Sequence, residues 1–372
     1  MTAPLVRFDH GPLGTGTTFQ TARRVISATI PDEVPRAFAA LQDAQAQGLW
    51  LAGFASYELG YLMSRKLRGL LPDSRQIPLL QFGVFDAPTS PHGLADGTAE
   101  LSQLQPLWDR ARYTRVFEIV HEFIKAGDVY QANLTFPIRA QLSGNPDVLY
   151  AALCAQQSVP YGAFVQLEGP TLLSRSPELF FSLSADGKLT ARPMKGTARR
   201  GATVNEDNAL RDALAASEKN RAENLMIVDL LRNDLSRISQ IGSVHVPELF
   251  QVERYATLHQ MTSRITAQIN TGTSIAELFR ALFPCGSITG APKIRAMEIL
   301  RDLEAGPRDG YCGAIGWIAP DGAMEFNVAI RTLTCAEDGA VTLNVGGGVI
   351  YDSTAADEYD EALLKAKFAQ LS

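Results

Sequence analysis

The chain has 372 residues, 46% of them apolar, and a formal net charge of −6. That is enough apolar material to bury one large core or two. The acidic balance gives nucleic acid or an anionic membrane surface no overall attraction, so any anionic ligand must be held by a few placed cations.

In chain order, "MTAPLVRFDHGPLG" carries no apolar signal segment, and the run "LWLAGFASYELGYL" is interrupted by polar residues before it reaches a spanning length of about 18 residues. A cytoplasmic protein is expected. Short strand-like runs with Pro/Gly punctuation fill the first part of the chain. "DAPTSPHGLADGTAE" (86–100) is the best linker, between a short N-terminal region, 1–106, and a larger region, 107–372, the two expected to form one intertwined globular unit. Beyond it the spacing of Val116, Ile119, Val120 and Phe123 predicts an amphipathic helix, then a glycine, then an alternating strand. "GAFVQLEG", "ELFFSLSADGKLTARPM", "YCGAIGWIAPDGAMEFNVAIRTL" and "AVTLNVGGGVIYD" read as further strands, and their DG turns favour hairpins. Helices are predicted over "NEDNALRDALAASEKNRAENLMIVDLLRNDLSRI", with room for one break, and over "SIAELFRALF", "APKIRAMEILRDLE" and "AADEYDEALLKAKFAQL". The fold class is α+β with mostly antiparallel sheets.

Cys154, Cys285, Cys312 and Cys335 lie far apart, and His10, His92, His121, His245 and His259 form no ligand pattern. A bound metal should therefore be hard and held by oxygen. Glu223 shares a helix face with Met226, Ile227 and Leu230; a carboxylate among apolar neighbours wants a counter-charge or a metal, and an ordinary exposed glutamate is the plainer account. Glu358, Glu361 and Lys365 form one stripe of the last helix, where an exposed i,i+4 ion pair explains as much. Two such helices converging would supply the oxygen ligands that Mg²⁺ prefers.

"NVGGGVIYDS" fits a bulge or tight bend, or a backbone that approaches an anion closely. It matches no phosphate loop, and neither does "CGSITGAPK". Arg331, expected inside an apolar strand, would suit a carboxylate. Glu178 and Lys195 can meet across a hairpin centred on "ADGK", where a carboxylate beside a neutral amine pairs an acid with a nucleophile; a structural ion pair is the alternative. His259 taken alone reads as a core histidine.

Together, "GDVYQANLT", "SPELFF", "PMKGTARRG", "RAENLMIVDLLRND", "LHQMTSRI", "GSITGAPK", "GYCGAIGW", "NVAIRT", "GGGVIYDS" and "EYDEALLKA" resemble the chorismate-utilising family, over residues 107 to about 368. The resemblance implies antiparallel sheets packed as a sandwich with helices outside, and a Mg²⁺-dependent site for chorismate. Glu223 and Glu361 would hold the metal, with Glu358 near them. Arg331, Tyr311 and the amides of Gly346, Gly347 and Gly348 would receive the other carboxylate, Lys365 would stand close to the metal, and Gly196 and Thr197 would line the pocket. His259 matches the family histidine near the ring. In relatives that make anthranilate the Lys195 position is usually alanine. A lysine there can add to C2 while the C4 hydroxyl leaves, protonated by Glu178, and ammonia then enters at C4, giving 4-amino-4-deoxychorismate for 4-aminobenzoate and folate synthesis. Gln131 stands where water-using relatives usually carry a lysine, which argues for ammonia as nucleophile. This sequence shows no glutaminase segment, so a glutamine amidotransferase partner is expected. Amination at C2 and a catalytically silent chorismate-binding subunit are the alternatives. Asn220, where the family generally has an acid, weakens the support around the metal. The N-terminal region is short for the family, and no tryptophan feedback site is placed on it.

Overall fold

The computed structural model describes residues 4–90, 93–255, 258–304 and 306–371. His92 lies outside the described residues. Among these, two ten-stranded antiparallel sheets form the frame. The first centres on the long strands Gln131–Ser143 and Ala340–Val349, paired without interruption from Ala340↔Gln141 to Val349↔Ala132, and runs outward through Thr332–Cys335, Thr171–Ser176 and Tyr161–Gln166 to Leu5–Gly11 and Gly14–Gln20. The second carries Met194–Arg199, Leu258–Gln268, Lys188–Ala191, Leu179–Leu183, Met324–Val328, Ala314–Ile318, Trp50–Ala55, Leu80–Phe85 and Arg24–Ala28 in that order. Strands from the first 106 residues are thus built into both sheets, and that region does not stand apart.

The helices are α1 (Val34–Ala46), α2 (Arg110–Lys125), α3 (Pro146–Gln156), α4 (Val204–Ala216), α5 (Glu218–Ser236), α6 (Ile275–Leu282), α7 (Lys293–Leu303) and α8 (Ala355–Ala366). Val6, Phe8, Val165 and Leu172 of the first sheet meet Ala52, Phe54, Phe85 and Ile315 of the second in the middle layer. Helices α2, α3 and α8 pack outside the first sheet, while α1, α5 and α6 cover the second. The sandwich with helices outside is the expected α+β architecture.

Three local readings change. The buried face of α2 is Tyr113, Phe117, Val120 and Ile124, and Ile119 is exposed: the Tyr113 ring, with Phe117 beside it, packs onto Phe136 and Tyr359 and sets which face turns inward. The three glycines of "NVGGGV" neither bulge nor bend; they lie inside the uninterrupted ladder. Arg331 is not within a strand but at the junction between Met324–Val328 of one sheet and Thr332–Cys335 of the other, with φ at 51°. The long predicted helix is broken once, at Ser217, whose hydroxyl accepts the Asn220 N–H and caps α5.

Candidate active site

The chain crosses between the sheets at two adjacent places. Ser176–Pro177–Glu178 joins Thr171–Ser176 to Leu179–Leu183, where proline has no N–H to continue a ladder. Ala329–Ile330–Arg331 makes the second crossing, and the two are tied by Val328 N–H to Glu178 C=O (3.0 Å) and Arg175 N–H to Arg331 C=O (2.9 Å). Where the crossings leave the sheets, a cavity of about 870 Å³ opens.

Lys195, Glu178, Gly196, Thr197, Tyr311 and Arg331 line this cavity, together with Glu223 from α5 and Glu358, Glu361 and Lys365 from α8. The side chains predicted from distant segments are therefore brought together. Lys195 Nζ lies 3.4 Å from Glu223 Oε2, with the two side chains 22% and 15% exposed. Glu178 is 4% exposed and accepts a 2.8 Å hydrogen bond from Ser287 Oγ. Burial pushes its carboxyl up to about 7, against the opposing pull of the Ser287 hydroxyl and the Lys195 charge. Near neutrality it can therefore give or take a proton.

On α8, burial raises the Glu358 carboxyl and the neighbouring Glu361 adds to this, while a 2.7 Å bond from Ser353 Oγ opposes it. Burial also pulls Glu361 upward, but Lys365, 2.8 Å away, and Lys195 outweigh it and leave the carboxyl below its ordinary value. Lys365 Nζ donates as well to Gly346 C=O at 2.9 Å. Arg331 makes no ion pair among the described residues, and burial lowers its pKa. A half-buried guanidinium without a carboxylate, lining a cavity, has the charge and geometry to suit an anion.

The glycine strand completes the wall. Thr332–Cys335 pairs with Ala340–Val349 only as far as Leu333↔Leu343, so the following residues keep one free edge. Thr135 and Asn133, opposite Gly346 and Gly348, send their N–H groups away from this strand, to Glu304 Oε1 and to Thr289 C=O. Gly346 and Gly348 therefore form non-hydrogen-bonded pairs, and their own N–H groups face the free edge beside the cavity. Gly347 has the opposite parity. Its amide is committed to Leu134, so two of the three predicted glycine amides are available and Gly347 is not among the lining residues. Its hydrogens make room for Glu358: a Cβ there would come within 2.6 Å of Oε2. A Cβ at Gly348 would come within 2.9 Å of both Lys195 Nζ and Gln131 Nε2. Gln131 is fully buried, and both its amide atoms lack a partner among the described residues.

His259 stands apart from the site it was expected to join. It is fully buried, its Nε2 lies 2.9 Å from Asp207 Oδ1, and it does not line the cavity. The reason is strand parity: in Leu258–Gln268 the cavity face carries Leu258 and Gln260, so the intervening histidine points the other way. Hydrogen bonds from Arg200 and from the Gly201 N–H hold Asp207 well below the usual carboxylate range. Gln260 and Ser287 escape a reading by residue type, since neither is a conspicuous acid, base or nucleophile. Alternation beside His259 and the position of Ser287 in "GSITGAPK" were the available signals.

Glu223, Glu358 and Glu361 are the cavity carboxylates able to hold a metal, and their oxygens suit a hard divalent cation. The donor set fits in kind; among the described residues no three such side chains are already drawn together.

Residues 10–370 match the family of chorismate binding enzymes. The chain belongs to that family. An aminodeoxychorismate synthase from Streptomyces pristinaespiralis is 45% identical over 69% of the chain, and aminodeoxychorismate synthase component 1 from Escherichia coli (strain K12) is 43% identical over 71%. The chain spans 36% and 58% of the length of those two relatives. The crystal structure of anthranilate synthase component I from Streptococcus pneumoniae TIGR4 superposes with a TM-score of 0.83 at 23% identity, covering 99% of this chain and 93% of the other, a likeness of fold. No described helix is long and apolar enough to cross a membrane.

Proposed function

We propose that this chorismate binding enzyme aminates chorismate at C4, giving 4-amino-4-deoxychorismate, with Lys195 as nucleophile and Glu178 as proton donor and acceptor. The observation that carries this is the Lys195 amine inside a cavity that it shares with a buried carboxyl poised at about 7. The similarity to aminodeoxychorismate synthases supports it.

In this reading Arg331 and the free N–H groups of Gly346 and Gly348 bind one substrate carboxylate, and Tyr311 closes the wall behind it. Neutral Lys195 forms a bond to C2, the ring double bonds shift, and the C4–oxygen bond breaks. Protonated Glu178 supplies the proton that lets the hydroxyl depart as water. Ammonia then bonds to C4, the double bonds return, and the C2–nitrogen bond breaks to release the lysine as a free amine. The new ammonium group returns a proton to the Glu178 carboxylate, so the sum is chorismate plus ammonia giving the amino product plus water. Lysine bound at C2 blocks that carbon, and nitrogen enters at C4.

Glu223, Glu358 and Glu361 would hold Mg²⁺, which would neutralise the other substrate carboxylate and sharpen the pull on the departing oxygen. Ammonia would come from a glutamine amidotransferase partner, a reading supported by the "component 1" in the name of the Escherichia coli relative. Incubation with chorismate, Mg²⁺ and ammonium, with the aminated isomer identified by chromatography, tests the proposal. The 4-amino isomer is expected, and Lys195→Ala should abolish it or divert amination to C2. Retained 4-amination by Lys195→Ala at an unchanged rate would refute the covalent role.

A further inference from the structure

We propose that Gln260 is the positioning residue for Lys195, aiming its amine into the cavity by locking a β-bulge at Lys195–Gly196. The functional meaning of this rests on the reading of Lys195 as nucleophile; the geometric claim stands by itself.

The bulge is visible in the register. Met194 faces Thr262 and Thr197 faces Gln260, so three steps along one strand meet two along its partner. The extra residue falls at Lys195–Gly196, and Gly196 takes φ of 97°, a conformation that glycine adopts without strain. An extra residue kinks a strand and changes where the neighbouring side chain points.

Gln260 holds the kink with both ends of its amide. Nε2 donates to Gly196 C=O at 2.8 Å, and Oε1 accepts from Thr197 Oγ1 at 3.1 Å. The two groups held belong to the two residues that follow Lys195. On the other side Asn220 Oδ1 lies 2.9 Å from where a Cβ of Gly196 would sit, and Asn220 Nδ2 is itself tied to Ser217 Oγ at 2.8 Å. Gly196 is thus fixed between Gln260 and Asn220.

This matters because the lysine side chain is weakly held at its tip. Glu223 at 3.4 Å is its ion-pair partner, too distant for a strong charge-assisted hydrogen bond. The backbone must set the direction of a long flexible stem, and the backbone here is the most permissive residue type, hydrogen-bonded by Gln260 and packed against Asn220.

The test uses two variants of the full chain. Gln260→Met removes both hydrogen bonds. Gln260→Glu keeps the acceptor for Thr197 and loses the donor to Gly196, and it decides the matter if the first variant does not fold, as judged by thermal melting. The first readout needs no turnover: acetylation of Lys195 by acetic anhydride, followed by peptide mass spectrometry with Lys188 as internal reference. The amine should react several-fold faster once released from its fixed direction. The second is the ammonium-supported assay, where kcat should fall roughly tenfold to a hundredfold while the KM for chorismate stays within about twofold. The residual product should shift toward the 2-amino isomer, because a misaimed lysine no longer covers C2. A merely structural role would lower the melting temperature and leave the isomer ratio alone. Unchanged acetylation, kcat and isomer ratio in the folded variants overturn the proposal while leaving the role of Lys195 intact. Retained 4-amination by Lys195→Ala would instead remove the nucleophile, and acetylation would still decide whether Gln260 aims that amine.

Discussion

Glu178→Gln should make the protein more stable above neutral pH and far less active. The Glu178 carboxyl rises from an ordinary 4.5 to about 7 because it is buried, 4% exposed. A raised carboxyl favours the folded state while it keeps its proton. That contribution is complete below about pH 4.5 and is lost as pH climbs through about 7, where the folded protein must carry a buried charge. At about 1.36 kcal/mol per pH unit, an interval of roughly 2.5 units amounts to about 3 kcal/mol. Glutamine has no proton to lose and can still accept from Ser287. Urea unfolding of wild type and variant should therefore give similar stabilities near about pH 4.5 and a gap widening toward about 3 kcal/mol by about pH 8. Turnover should drop by about 10²–10⁴ across the range, the usual worth of a general acid. A stability gap that stays flat with pH would show that this carboxyl does not titrate abnormally and would remove it as the proton donor.

The remaining predictions concern the walls of the cavity. Gly348→Ala places a methyl 2.9 Å from Lys195 Nζ and Gln131 Nε2; both are ends of flexible side chains, so the melting temperature should hold while kcat falls. Arg331→Ala should raise the KM for chorismate by at least roughly tenfold, the loss of one charge-assisted pair of about 1.5–3 kcal/mol, measured by steady-state kinetics. Glu361→Gln should weaken Mg²⁺ binding by at least roughly tenfold in calorimetric titration, and chelation of Mg²⁺ should stop turnover. Glu304→Ala leaves the Arg308 guanidinium, 2% exposed and bonded to Glu304 at 2.7 Å, without its carboxylate, and should cost about 3–5 kcal/mol in urea unfolding.

Much of this site was legible in the sequence because its chemistry sits on residues whose type is conspicuous. The DG hairpin between Leu179–Leu183 and Lys188–Ala191 could be read from turn chemistry, and it sets Glu178 and Lys195 on one cavity. The α8 stripe of Glu358, Glu361 and Lys365 followed from helical periodicity. What failed depended on phase and not on identity. His259 and Gln260 are adjacent in sequence, and only the pairing register decides which of them faces the cavity. The same parity removes the Gly347 amide and keeps those of Gly346 and Gly348, a distinction invisible in a run of three glycines. The apolar run Val328–Ala329–Ile330 in "NVAIRTL" suggests a strand that continues through Arg331. The positive φ that makes it a crossing between sheets is imposed by tertiary structure, not by local preference.

The interlaced sheets also limit how this enzyme can be dissected. A fragment starting at residue 107 would strip Leu5–Gly11 from Tyr161–Gln166 and Trp50–Ala55 from Ala314–Ile318, baring two long adhesive borders at once. Residues 107–372 are therefore no portable cassette: any attempt to harvest them alone should yield aggregate, and a smaller protein would have to be trimmed from its loops.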